Sequence, residues 1–186
     1  MVESSKKTTA MGGSKSKPIP LGNDYLNFKY DQEIKNQLEK DEHIVFSVEV
    51  IKFNRFGLKQ SRNLLLTTHH LANVKDHEFQ RRIQLKTIKA MTKSTELNNN
   101  EFICHVNNEY DYRFVCEKRE ELFEHLKECF FTLMNENLPI YGVPGKVKEF
   151  STSKKDIKAG CEKQPPDSYR LRNEDMYEPL REQSST

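Results

Sequence analysis

IVFSVEVIKFNRFGLKQSRNLLLT, residues 44–67, holds two runs of mostly apolar residues on either side of one glycine. In a strand, residues two apart share a face. Phe46, Val48 and Val50 therefore share a face of the first run, and Lys52 continues it. Leu64 and Leu66 share a face of the second run, with Arg62 on the same face at the near end. The first run is rich in β-branched and aromatic residues, which favours a strand. Gly57 marks the turn. The stretch thus reads as a β-hairpin with the cations Lys52, Arg55, Lys59 and Arg62 crowded at its turn end. If the apolar faces look into a barrel, Lys52 and Arg62 point inward at its mouth and Lys59 hangs above them. A buried cation is costly unless paired, which leaves two uses for this mouth. It can meet water or a phosphorylated head group, or its cations can pair with a carboxylate of the same barrel.

The neighbouring segments extend the pattern. LANV (71–74), FQRRIQL (79–85), KAMTKST (89–95), FICHV (102–106) and YDYRFVC (110–116) read as further strands, giving about seven joined by tight turns. This is the pattern of an antiparallel sheet or barrel. Before them, Leu26, Tyr30, Ile34 and Leu38 recur at i+4, which predicts a short N-terminal helix capped by Asn23 or Asp24. After them, Leu122, Leu126, Cys129, Phe130 and Leu133 make one face of a longer helix that Asn137 and Pro139 end. The expected fold is α+β, mostly β. It is a pleckstrin-homology-like antiparallel barrel with an N-terminal helix and a C-terminal capping helix. Residues 1–17 read as a disordered basic arm, 18–137 as the domain, and 138–186 as an extended polar tail with single apolar residues such as Ile140, Tyr141, Val143, Tyr169, Leu171, Met176 and Tyr177.

Composition limits the alternatives. Only 35% of residues are hydrophobic and 31% are charged, so roughly 110–120 residues can share a core. The net charge of +2 conceals a division. Residues 52–93 carry ten Lys/Arg against two Asp/Glu, whereas residues 94–135 carry four against nine. A basic block of this kind attracts lipid phosphates, nucleic acid or an acidic protein surface. Phe53, Phe56 and Phe79 read as strand or loop residues rather than base-stacking platforms, which argues against nucleic acid. Cys104, Cys116, Cys129 and Cys161 lack metal-ligand spacing and read as reduced thiols. His69 and His70 are adjacent, so as strand residues they face opposite sides, and His43, His77, His105 and His125 have no ligand spacing. No nucleophile motif or glycine-rich phosphate loop occurs, so neither an enzyme nor a cofactor is expected. No run has the length of a membrane span, and position 2 is Val, which excludes myristoylation.

GNDYLNF, the hairpin, QRRIQLKTIKAMTKST, FICHVNNEYDY and the acidic final helix together resemble the tail homology 1 (TH1) domain of class I myosins, from about Pro18 to about Asn135. The resemblance implies a pleckstrin-homology-like barrel that binds acidic phospholipids, phosphoinositides included. It also implies a basic signature of one cation ending the first strand and a basic-x-basic step opening the second. Lys52 and Arg62 match those places, whereas Gln60 stands where the second cation is expected, with Lys59 one step earlier. No G-x-x-x-x-G-K-[ST] loop is present, so a free-standing tail-like module without a motor is expected.

Two readings follow. In the first, Lys52, Arg55, Lys59, Arg62, Arg81 and Arg82 bind anionic phospholipids. Phe56 and Leu58 at the loop tip can then enter the bilayer, and the chain is a cytoplasmic peripheral anchor between membrane and actin/myosin-type cytoskeleton. In the second, the barrel is a plug and the ends, 138–186 above all, grip protein partners in a large cytoskeletal assembly such as a ciliary axoneme.

Overall fold

In the computed structural model, which describes residues 22–172, strand alternation holds along the hairpin from Phe46 to the turn, beyond a bulge between Ile44 and Phe46. β1 (Ile44–Phe53) and β2 (Lys59–Thr67) run antiparallel, with Val48 opposite Leu64, Val50 opposite Arg62 and Lys52 opposite Gln60. Directly opposed residues share a face, so the inner apolar row passes into cations at the turn end. β3 (His70–Lys75), β4 (Glu78–Gln84), β5 (Ile88–Ser94), β6 (Glu101–Val106) and β7 (Tyr112–Val115) complete the seven expected strands.

An eighth strand, β8 (Ile140–Val143), was not legible in the sequence. It pairs parallel with β5, and the sheet order is β4-β3-β2-β1-β7-β6-β5-β8. The two end strands do not meet, so the expected barrel is an unclosed, strongly wrapped sheet. Both ends are nonetheless covered. The Gln37 side chain bonds the Phe79 N–H and the His77 carbonyl beside β4. Along β8, Arg170 bridges Tyr141 and the Leu171 N–H donates to the Ile140 carbonyl at 2.8 Å. Covered edges suppress strand addition by other chains.

The concave face holds the main core, in which Phe46, Leu64, Leu66, Leu71, Phe102 and Phe114 are fully enclosed. Helix α2 (Arg119–Met134) closes it with Leu122, Phe123, Leu126, Cys129 and Phe130. Glu120 and Glu121 lie in its first turn, where the helix dipole favours anions. Its left-handed cap is Asn135 (φ 57°), two residues before the expected stop, and Leu133 stays largely exposed.

The outer face is covered too, which explains why residues 64–66 are three consecutive leucines. Leu64 and Leu66 join the main core, while Leu65 packs outward with Phe28, Ile34, Ala72 and Val74. Phe28 and Ile34 belong to a short 3₁₀ turn and to helix α1 (Gln32–Asn36). Asp31 caps α1 rather than Asn23 or Asp24, by accepting from the Glu33 and Ile34 N–H groups. The chain turns sharply at Asp31, so the i+4 stripe breaks and Tyr30 faces solvent.

Residues 138–172, read from sequence as an extended polar tail, cover the other outer half. Val143 and Val147 pack on Ile103, with Phe150 and Tyr169 against them. A short helix, α3 (Lys154–Lys158), forms the apex of this flap and is closed by a Ser153–Asp156 capping box. The expected basic arm, residues 1–17, and Met176 and Tyr177 lie outside the described residues. Because Ile140 is 2% exposed, Ile140→Ala is expected to cost about 2–4 kcal/mol. Urea denaturation should show a lower midpoint with unchanged slope. A shift of less than about 0.5 kcal/mol would mean that the flap is not part of the cooperative unit.

Candidate anion-binding mouth

Lys52, the last inward residue of β1 before the turn, is half-buried. Its ammonium lies 5.3 Å from the centroid of the Tyr112 ring, and the Arg81 guanidinium lies 5.8 Å from the same ring. Burial pushes the Lys52 pKa below the ordinary lysine value, and the positive charges of Arg62 and Arg81 push it further in the same direction. The three cations therefore converge strongly enough to repel one another. Arg62 is braced locally, donating to the Ser61 carbonyl at 2.6 Å and to Gln60 Oε1 at 3.2 Å. Gln60 thus lies opposite Lys52 and supports Arg62 without adding charge.

Among the described residues, the carboxylate paired at the mouth is Glu109, which is engaged on both oxygens. It forms an ion pair with Arg81 and accepts from the Tyr112 hydroxyl at 2.8 Å. Burial opposes the charged form of Arg81, but its interactions with Glu109 and Tyr112 together outweigh it and raise the pKa. Pairing within the barrel therefore satisfies Arg81, while among the described residues Lys52 and Arg62 have no carboxylate partner. Tyr112 and Glu109 were not among the site residues expected from the sequence. The signal for Tyr112 was available, since it lies two residues before the inward Phe114.

The hairpin tip is folded tightly over the mouth. Asn54 Oδ1 accepts from the Phe56 and Leu58 N–H groups at 2.9 and 3.0 Å, and Gly57 adopts φ 81°, which glycine tolerates. Phe56 and Leu58 are 71% and 63% exposed, so the tip presents two apolar side chains to solvent. The Arg55 guanidinium stacks 4.6 Å from the Phe56 ring, and Lys59 is exposed at the start of β2.

Arg82 is not brought to the mouth. Its side chain leaves the opposite face of β4 and donates to the Gln37 carbonyl at 2.9 Å and to Glu42 at 2.6 Å. Glu42 also meets His70 at 2.8 Å and accepts from Thr67. Burial raises the Glu42 pKa, but the hydrogen bonds from the Glu39 N–H, Thr67 and His70, with the Arg82 charge, prevail and hold it below the ordinary glutamate range. Donor atoms of Glu39, Glu42 and His70 lie within 4.8 Å of one another. The Arg82 guanidinium already supplies the positive charge there, so the cluster is a structural ion network.

An open sheet of seven antiparallel strands and one added parallel strand, closed at one corner by helix α2, with cations at its other end, is a pleckstrin-homology-like module. The hSac2 domain of the human phosphoinositide phosphatase Sac2 shares the fold at a TM-score of 0.50 and 14% identity, over 66% of this chain and 90% of that one. Residues 20–164 match the family described as unconventional myosin tail, actin- and lipid-binding, and the chain belongs to this family. The matched range continues through β8 and α3. Unconventional myosin-Ic of Gallus gallus is 37% identical over 87 residues, and unconventional myosin-Ic-A of Xenopus laevis 33% identical over 87 residues, in each case 46% of this chain. Those alignments span 8% of the length of either relative. No helix among the described residues is long and apolar enough to cross a membrane.

The crowding of Lys52 generates a prediction. Lys52→Met keeps the stem and removes the repelled charge, and should stabilise the protein by about 0.5–1 kcal/mol. Its folded-state pKa lies below the ordinary 10.5, so the unfolded chain holds the proton more tightly and wild-type stability recovers as pH rises toward that value. The advantage of the variant should therefore shrink in alkaline urea titrations. Destabilisation at neutral pH would contradict this picture of the mouth.

Proposed function

We propose that the open end binds phosphorylated head groups of anionic phospholipids, phosphoinositides among them, and holds the chain on a membrane surface as a non-catalytic peripheral anchor. The observation that carries this reading is the pair of inward cations, Lys52 and Arg62, left without a carboxylate, with Lys52 and Arg81 sharing the Tyr112 ring. Anion binding offsets the repulsion that the free protein sustains. Lys59 and Arg55 extend the positive field above the mouth, and Phe56 and Leu58 are placed to enter the interfacial layer beside them. Arg82 has no part in this, since its charge is spent on Glu42.

Family membership supports a link between membrane and actin cytoskeleton. A purely protein-gripping role for residues 138–186 draws less support. Ile140, Tyr141 and Val143, which that role would offer to partners, are buried against the chain's own sheet.

The test is co-sedimentation with vesicles with and without phosphoinositide, at low and physiological salt. Each basic residue near an anionic leaflet contributes roughly 1 kcal/mol. Lys52→Ala with Arg62→Ala should therefore weaken binding roughly 30-fold, and salt should weaken the wild type. Equal binding by the double variant would remove the mouth from the account.

A further inference from the structure

The flap brings a second group of cations to the end of the sheet where the mouth lies. Thr152 is buried and clamped to the β6–β7 turn. Its N–H donates to Asp111 Oδ2 at 2.7 Å, and the Asp111 N–H donates to its carbonyl at 2.9 Å. Asp111 is held in turn by His105 Nδ1 at 2.9 Å, and Thr92 meets the other nitrogen of that ring at 2.7 Å. This anchorage fixes the start of α3 beside Tyr110. The Lys154 ammonium lies 4.8 Å from the Tyr110 ring, which lies 4.9 Å from the Tyr112 ring that Lys52 and Arg81 share. Cations thus flank a tyrosine pair on both sides, with the mouth on one side and α3 on the other.

Helix α3 carries three lysines against one carboxylate, Asp156. Lys154, Lys155 and Lys158 are exposed and have no carboxylate partner among the described residues. The two carboxylates nearest in sequence to α3 and the segment that follows it are occupied. Asp156 is taken by Ser153 and by Lys163 at 3.2 Å, and Glu162 pairs with Lys89. The Asp156 carboxyl is held down at about 2 by the Ser153 side-chain and backbone hydrogen bonds, with Lys163 adding to the effect. Three solvated ammonium groups in one short helix form no enclosed pocket. They suit an extended surface of negative charge.

We infer that Lys154, Lys155 and Lys158 form a second contact with the anionic bilayer, lying beside the mouth and reading the net charge of the leaflet rather than one head group. This rests on the proposed membrane role and deepens it. The mouth would select a phosphorylated head group, and α3 would add attraction to any anionic lipid and fix the module's orientation with the mouth and α3 facing the surface. Such two-point attachment multiplies the residence that either contact gives alone.

The experiment compares wild type, Lys154→Ala/Lys155→Ala/Lys158→Ala, and the control Lys146→Ala/Lys148→Ala, which removes charge from the same flap near β8. All three substituted α3 residues are exposed and the capping box is untouched, so folding should be retained. Each chain is titrated with phosphatidylcholine vesicles carrying phosphatidylserine and, separately, with soluble inositol trisphosphate. The α3 variant should bind the vesicles at least about tenfold more weakly and the soluble head group with unchanged affinity, while the control binds both nearly as the wild type does. Loss of vesicle binding in a protein that never binds the soluble head group would keep α3 as a membrane contact and overturn the mouth reading instead. Unchanged vesicle binding, an equal loss for the soluble head group, or an equal loss in the control would overturn the inference. So would loss confined to co-sedimentation with actin filaments, which would assign α3 to a protein surface.

Discussion

Desolvation of an ammonium group governs the open end of this molecule. Strand alternation obliges the residue after Val50 on the inner face to be Lys52, and its cross-strand neighbours on that face are Gln60 and Arg62. No backbone adjustment short of a register slip turns these side chains outward, because such a slip would also expel Val48, Val50, Leu64 and Leu66 from the core. The apolar interior thus holds the cations where they repel. Only their position at the rim, with water on one side and the Tyr112 ring on the other, makes the arrangement tolerable.

Two outer layers sustain that interior. The segment around Phe28 and Ile34 covers β2 and β3, and the flap from β8 to Leu171 covers β5 and β6. Their placement braces the sheet on both faces while leaving the end with the β1–β2 turn accessible. Rigidity matters to a site of this kind because binding then need not order the groups that meet the ligand. Asn54 serves the same purpose at the hairpin tip by fixing the loop from which Phe56 and Leu58 project.

What could be read in advance follows the range of the interactions involved. Period-two alternation is local, so the seven antiparallel strands and the inward aim of Lys52 and Arg62 were legible. The closing helix was legible from its 3.6-residue period. Glu109 and Tyr112 as partners of Arg81 depend on how β6 and β7 approach β4, a tertiary relation without local signature. A bulge between Asn73 and Val74 further shifts the β3–β4 register that places Arg81. Arg82 looked equivalent to Arg81 in sequence, yet adjacent strand residues face opposite sides, and Glu42, forty residues earlier, claims it. β8 was hidden because a four-residue strand buried on both faces, preceded by Pro139 and followed by Pro144, carries too few residues to display any period.

We propose the unpaired charge at the mouth as a binding site. A titration of the isotopically labelled chain with soluble inositol trisphosphate, followed residue by residue in amide and side-chain NMR spectra, addresses it most directly. Saturable shifts are expected at Lys52, Gln60, Arg62, Arg81 and Tyr112, with the Glu42–Arg82 network unmoved. Shifts scattered over every exposed lysine without saturation, or none at the mouth, would contradict it.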